Sequence, residues 1–227
     1  MTGPQLKSAR GAAGWSQKKT AARLGVTQAY LSMMEKGQRS VPPKLAARIV
    51  SVLHAPPTAL PLRGPEQPSA ANLDFHAMLG SLGYPGFAYL RRDRKRNPAD
   101  VLFLALNQDD LDARVVEALP WVAFTFPDLD WNWLVSQAKL HDRQNRLGFV
   151  VQLAGEGAAR QSAAGPRSIL QAVQSSLERS RLANEDTLCH DSMTEAERKW
   201  LRQSRPASAE HWNLLTDLTV DHLAWAA

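Results

Sequence analysis

The chain is poor in cysteine and in long apolar segments. Cys189 is the single cysteine among 227 residues, which excludes a disulfide within the chain and is typical of a reducing compartment. No apolar run approaches the ~20 residues of a membrane-spanning helix. The N-terminus also lacks the basic and then apolar pattern of a secretion signal. These absences predict a soluble, cytoplasmic protein that does not span a membrane.

Motifs for catalysis, metal binding and phosphate binding are also missing. The six histidines are scattered, and Cys189-His190-Asp191 supplies too few ligands for a metal site. The sequence has no glycine-rich phosphate loop and no HExxH motif. His141 and Asp142 have no serine or cysteine nucleophile at a recognisable spacing. We therefore expect no enzymatic activity, no cofactor and no bound metal.

Acidic residues are scarce in the first quarter of the chain. Residues 1–55 contain nine lysines and arginines but only one acid, Glu35, which gives a net charge of +8. The whole chain carries +5, so the remainder carries −3. A small domain with such an excess attracts a polyanion, because phosphate neutralisation supplies most nonspecific affinity for DNA. The charge distribution predicts a nucleic-acid partner for the first quarter.

Two short helices separated by a tight turn are predicted within GWSQKKTAARLGVTQAYLSMMEKGQR, residues 14–39. The first is expected over residues 17–24 and the second over residues 28–36. Each follows a hydroxyl residue that can cap its start, and each precedes a glycine that can adopt a left-handed backbone; these residues are Ser16, Thr27, Gly25 and Gly37. The apolar spacing indicates a shared core and leaves one face of the second helix outward.

This segment resembles the helix-turn-helix of Cro/C1-type (XRE family) regulators over roughly residues 3–54. The residues that establish the resemblance are Leu6, Arg10, Gly14, Ser16, Gln17, Ala21, Leu24, Gly25, Val26, Thr27, Gln28, Leu31, Ser32, Glu35, Gly37 and Pro42. Thr20 departs from the usual leucine, and Ala29-Tyr30 replaces a commoner polar pair. The resemblance implies a bacterial, lambda-repressor-like helical bundle that binds double-stranded DNA, usually as a homodimer.

Gln28 is the strongest candidate for a base contact, because a glutamine near the start of the second helix can pair with adenine in the major groove. Ala29 and Met33 suit contact with a thymine methyl. The resemblance places Gln17 near a phosphate, where it can also brace Gln28. The other predicted DNA-binding residues are Thr27, Tyr30, Ser32, Lys36, Gln38, Arg39 and Ser40. Tyr30 has the alternative of packing inside the domain.

The proline-rich stretch 55–70 is predicted to be a linker between a domain over residues 1–54 and one over residues 71–227. The second domain is expected to be all-α, which makes the whole chain all-α. Its helices are predicted over residues 73–82, 99–106, 109–119, 131–153, 167–183, 194–204 and 208–225. A buried β-strand is the alternative for VLFLAL within 99–106, and a flexible break is expected at 155–166.

Three segments outside the first domain are candidates for partner binding. The basic run RRDRKR, residues 91–96, is either a solvated loop or a contact for DNA or an acidic partner. The aromatic segment 121–133 belongs either to the core or to a binding surface. The polar segment 138–149 is either a hydrated helix, with Asp142 paired to Arg146, or a site for a phosphate or an acidic partner. Candidate partner-binding residues are Trp131, Trp133, Lys139, Arg143 and Arg146.

These features favour a sequence-specific transcriptional repressor that is dimeric on a palindromic operator, autoregulates its operon and lies at the nucleoid when bound. The alternative is an antitoxin whose second domain neutralises a toxin encoded next to it, since segment 128–154 is similar to such regulators. A ligand-sensing regulator is a third hypothesis, which requires a pocket.

Overall fold

The computed structural model describes residues 1–62, 73–90 and 95–226. The expected all-α class is confirmed, because nearly every regular element is a helix. Two two-residue strands pair in parallel within the described residues, β1 (Asp186–Thr187) and β2 (Leu214–Leu215). The chain divides into two compact units, which are Met1–Glu66 with Asp93–Asn97 and Gln67–Arg92 with Pro98–Ala227.

The first unit contains four helices, α1 (Gly3–Ala12), α2 (Gln17–Leu24), α3 (Gln28–Glu35) and α4 (Pro43–Leu53). Their apolar faces bury a core of Leu6, Ala21, Leu24, Leu31, Met34, Ile49 and Leu53. The predicted caps are confirmed, since the side chains of Ser16 and Thr27 accept hydrogen bonds from the first turns of α2 and α3. Gly25 and Gly37 have φ angles of +66° and +74°, so each ends its helix in the left-handed conformation.

The beginning of the segment that we predicted to be a linker is packed on the first unit. Ala55 and Leu60 are buried with Val50, and a 3-10 turn lies between them. The Asn97 amide also donates to the carbonyl oxygens of Thr58 and Leu60, at 3.0 and 2.7 Å. These contacts hold residues 55–60 in the first unit, while residues 63–70 lie outside the described residues.

The second unit contains α5 (Phe75–Leu82), α6 (Pro98–Leu106), α7 (Ala113–Thr125), α8 (Trp131–Leu140), α9 (Gln144–Arg160), α10 (Ala164–Glu178), α11 (Glu195–Ser204) and α12 (Ala207–His211). Helix α9 is central and packs against both α7 and α10. Residues 98–106 are a buried helix, so the strand alternative is wrong. Thr194 and Glu197 form a capping box at the start of α11.

Two predictions for α8 and α9 differ from the structure. The single helix predicted over 131–153 is divided at Asp142, whose left-handed φ of +54° separates α8 from α9. The break predicted at 155–166 is shorter than expected, because α9 continues to Arg160 and α10 begins at Ala164, which leaves only residues 161–163 between the two helices. Gly157 lies under the Trp225 ring, where an added Cβ would come within 2.5 Å of a ring carbon. This glycine therefore permits close packing within the helix.

Other helix boundaries also differ from the prediction. Helix α7 begins at Ala113 and passes through the buried Pro120, where we predicted an end. The helix predicted over 167–183 is α10, which begins at Ala164 and ends at Glu178. The single helix predicted over 208–225 is replaced by α12, β2 and two 3-10 turns. The pairing of β2 with β1 interrupts a helix there. The partner strand lies about 28 residues earlier in the sequence, so local periodicity does not show the pairing.

Candidate DNA-binding surface

One face of α3 is turned away from the core of the first unit. Gln28 and Ala29 are exposed, and Ser32 and Met33 are partly exposed. Leu31 and Met34, on the opposite face, are fully buried. The four outward residues are spaced at one helical turn, so they lie side by side on the surface. Their side chains are free to approach a groove of DNA.

A polar and basic segment follows α3 directly. Lys36, Gln38, Arg39 and Ser40 are all exposed. The backbone N–H groups of Gln38 and Arg39 both donate to the carbonyl oxygen of Met33, at 2.9 and 3.3 Å. These bonds fold the segment back over the end of α3. Two cations are thereby held beside the outward face, where they can meet phosphate groups.

Gln17 is positioned by a charged network inside the first unit. Its amide nitrogen donates to Oε2 of Glu35 at 2.8 Å. The Arg10 guanidinium donates to both carboxylate oxygens of Glu35, at 2.6 and 3.2 Å, and to the carbonyl oxygen of Trp15 at 2.9 Å. The network joins α1, α2 and the end of α3. It therefore fixes the start of α2 relative to α3, with Gln17 anchored on Glu35 rather than on the predicted partner Gln28.

Glu35 is ionised in this network even though its side chain is only 3% exposed. Burial by itself raises the pKa of Glu35, but the hydrogen bonds from Arg10 and Gln17 and the charges of Arg10 and Lys7 outweigh it, so the pKa is lowered. Arg10 and Glu35 lie 25 positions apart, and the sequence between them gave no signal that they pair. The sequence identified Glu35 as the one acid of this region but did not reveal that it joins Arg10 and Gln17.

Three other residues of the first unit have structural contacts. Thr27 caps α3 through its hydroxyl, and Tyr30 is partly buried against the core, which is the second of its two predicted alternatives. Thr20, which departs from the family pattern, is fully buried and donates its hydroxyl to the carbonyl oxygen of Ser16 at 3.0 Å. Its polar group is therefore satisfied within α2.

The candidate partner-binding residues of the second unit have different environments. Lys139 is exposed, while the Trp131 indole donates to the carbonyl oxygen of Pro127 at 3.0 Å. The Trp133 ring meets Phe103 edge to face, so the aromatic segment contributes mainly to the core. Arg143 is partly buried, 3.7 Å from an oxygen of Asp186.

The inclusion of Arg146 among them was wrong, because its side chain is 0% exposed. Its guanidinium donates to both oxygens of Asp186 at 2.8 Å, to Asp191 at 3.3 Å and to the carbonyl oxygens of Leu106 and Gln108. Burial alone lowers the pKa of Arg146, but the hydrogen bonds and charges of its partners raise it overall. Asp186 and Asp191 replace the predicted partner Asp142, since α9 begins only after Asp142. Arg146 therefore links α9 to the segment before α11.

The basic run 91–96 lies largely outside the described residues, which include only an exposed Lys95 and a partly exposed Arg96. No helix in the described part of the chain is both long and apolar enough to cross a membrane. The same residues contain no group of three histidine, cysteine or acidic side chains suited to a metal ion.

Comparison with known proteins agrees with this geometry. Residues 6–60 match the family model described as helix-turn-helix. These residues are a helix-turn-helix domain. The match supports a DNA-binding regulator of transcription, and it extends to Leu60, which is buried with Val50 and Ala55. No curated protein matches the chain. No solved structure matches it either.

Proposed function

We propose that the protein is a sequence-specific repressor of transcription that acts in the bacterial cytoplasm and autoregulates its own operon. The observation that supports this most directly is the outward face of α3, with Gln28 at its start and the basic segment Lys36–Ser40 at its end. Base contacts from the start of a recognition helix select the sequence, and cations at its end bind the backbone.

The proposed operator is palindromic, because the proposed active form is a homodimer. Two recognition helices related by a twofold axis contact half-sites about 34 Å apart, one turn of DNA. The chain has a mass of 25.1 kDa, so light scattering on the full chain is expected to give about twice that mass. A monomer both alone and on operator DNA would contradict the dimer.

DNase I protection over the region upstream of the protein's own gene tests the proposed function. We expect one protected region that contains two inverted half-sites, together with lower expression of a reporter fused to that promoter. Gln28→Ala should weaken both the protection and the repression while the protein remains folded. Protection without loss of reporter expression would retain DNA binding and contradict repression.

Neutralisation of a toxin is a second candidate function, favoured by an exposed apolar residue on α8. Leu140 is 72% exposed and follows the exposed Lys139. A large apolar side chain beside a cation suits a protein partner with an acidic rim.

Expression of the neighbouring reading frame with and without the full chain tests this function. Killing by the neighbour alone, with rescue by the wild type but not by Leu140→Asp, is expected for an antitoxin. Ser136→Asp, on the same helix, is the matched control and should still rescue.

A further inference from the structure

The second unit contains a cavity of about 520 Å³. It lies between the start of α7, the segment 188–193, α11 and the segment that follows β2. Its volume is within the range of about 300–1,000 Å³ that is usual for small-molecule sites. All of its lining residues belong to the second unit, so its shape is defined without reference to the first.

The floor of the cavity is apolar. Met193, Leu201 and Leu215 pack together there as one buried cluster, and Leu188 and Leu218 are buried beside them. These side chains come from three separate chain segments, 188–193, α11 and 215–218, that meet at this point. Aliphatic surface of this kind binds the apolar part of a ligand by removing it from water.

The rim of the cavity is acidic. Glu117 is partly exposed and Asp217 is exposed, and the described residues provide no ion-pair partner for either carboxylate. None of the lining residues within the described ranges is lysine or arginine. The remaining ionisable groups on the rim are His190 and His222. The rim thus has two carboxylates, and no lysine or arginine among the described lining residues balances them.

We propose that this cavity is a binding site for a small organic cation with an apolar body. The aliphatic floor takes the apolar body, and the carboxylates of Glu117 and Asp217 attract the cationic group at the rim. An anionic ligand of the same shape is repelled by both carboxylates, and a neutral one gains nothing from them. This site goes beyond repression, and ligand binding to it does not depend on the proposed function.

Titration of the full chain with hexylammonium at pH 8, followed by amide NMR shifts, tests the proposal. Hexan-1-ol and hexanoate are the neutral and anionic probes of matched length. We expect saturable shifts with hexylammonium, centred on residues 188–193 and 215–218, with weaker binding of hexan-1-ol and none of hexanoate. Equal binding of the cation and the anion, or shifts elsewhere only, would overturn the proposal.

Charge variants establish whether the rim carboxylates contribute. Glu117→Gln and Asp217→Asn should each weaken hexylammonium binding about two- to fivefold, the range for a partly exposed ion pair. Glu210→Gln changes the net charge equally, but Glu210 is exposed and does not line the cavity. This control should bind hexylammonium like the wild type. Equal affinity in all four proteins would contradict the charge-based site.

Ala113→Trp tests the position of the site without altering the buried floor. Ala113 is an exposed residue that lines the cavity at the first turn of α7. A tryptophan there should obstruct the mouth and abolish the shifts, while the rest of the amide spectrum remains that of a folded protein. Unchanged hexylammonium binding by this folded variant would place the ligand elsewhere.

Discussion

Each unit of the molecule contains an arginine bonded to carboxylates, but the burial is opposite in the two cases. In the first unit the carboxylate of Glu35 is 3% exposed and its partner Arg10 is 17% exposed. In the second unit Arg146 is 0% exposed, whereas its partners Asp186 and Asp191 are 24% and 40% exposed. The buried charge is therefore negative beside the candidate DNA-binding surface and positive in the second unit.

The two networks have different structural roles. Glu35, at the end of α3, bonds Arg10 in the last turn of α1 and Gln17 at the start of α2. Arg146 instead bonds carboxylates and backbone carbonyl groups from segments about 40 residues away on either side. The first network arranges a surface, and the second joins distant parts of a larger core.

Arg146→Met should produce the largest loss in stability. It leaves two backbone carbonyl oxygens and two carboxylates without their common donor, so unfolding should become easier by about 3–5 kcal/mol. Urea denaturation followed by tryptophan fluorescence measures this, because six of the seven tryptophans lie in the second unit. Arg202→Met removes an exposed arginine that is paired with Glu185 and should leave the transition unchanged. Equal effects of the two variants would contradict the role of Arg146.

Glu35→Gln should destabilise the first unit by about 1–3 kcal/mol, because Arg10 loses its charged partner. The folded pKa of Glu35 is lowered from its ordinary 4.5, so its stabilising contribution is present above that pH and is lost as the pH falls. Amide hydrogen exchange in α1–α4 should therefore show a steeper loss of stability below about pH 4.5 in the wild type than in the variant.

Arg10→Gln and the double variant complete a cycle with Glu35→Gln. Coupling between Arg10 and Glu35 predicts that the double variant is less destabilised than the sum of the single variants. Additive losses would show that the 2.6 Å contact contributes little to stability.

Gly148→Ala should destabilise the second unit by roughly 1–3 kcal/mol, because its Cβ would lie 2.3 Å from a ring carbon of the fully buried Trp212. Gly155→Ala is the matched control on the same helix, since an added Cβ there meets no atom within 4 Å. The control should stabilise the protein by about 0.5–1 kcal/mol through higher helix propensity. Thermal unfolding of both variants checks the opposite signs, and equal signs would contradict close packing at Gly148.

The sequence predicted the first unit well because its signals are local. Ser16 and Gly25 define the ends of one helix within ten residues, and Thr27 and Gly37 define the next. The partnership of Arg10 with Glu35 was missed because neither residue has a local pattern that depends on the other.

The second unit was predicted less well because tertiary contacts decide its local structure. Gly157 was interpreted as part of a flexible break, since its close packing depends on Trp225, 68 residues later. Arg146 was interpreted as a surface residue for the same reason, as its partners lie 40 and 45 residues away. The pairing of β1 with β2 could not be predicted, because a strand of two residues is too short to show an alternating pattern.

Sequence recognition by the outward face of α3 is tested by the affinities of Gln28→Ala and Arg39→Ala for the protected promoter site and for random duplex DNA. Arg23→Ala is the control for Arg39→Ala. It removes the same charge at the end of α2 that lies opposite Gln17. We predict that Gln28→Ala loses about 1–3 kcal/mol on the promoter site alone. Arg39→Ala should weaken both DNAs alike and reduce the salt slope by about one unit. Equal losses of Gln28→Ala on both DNAs would contradict sequence recognition by the outward face of α3.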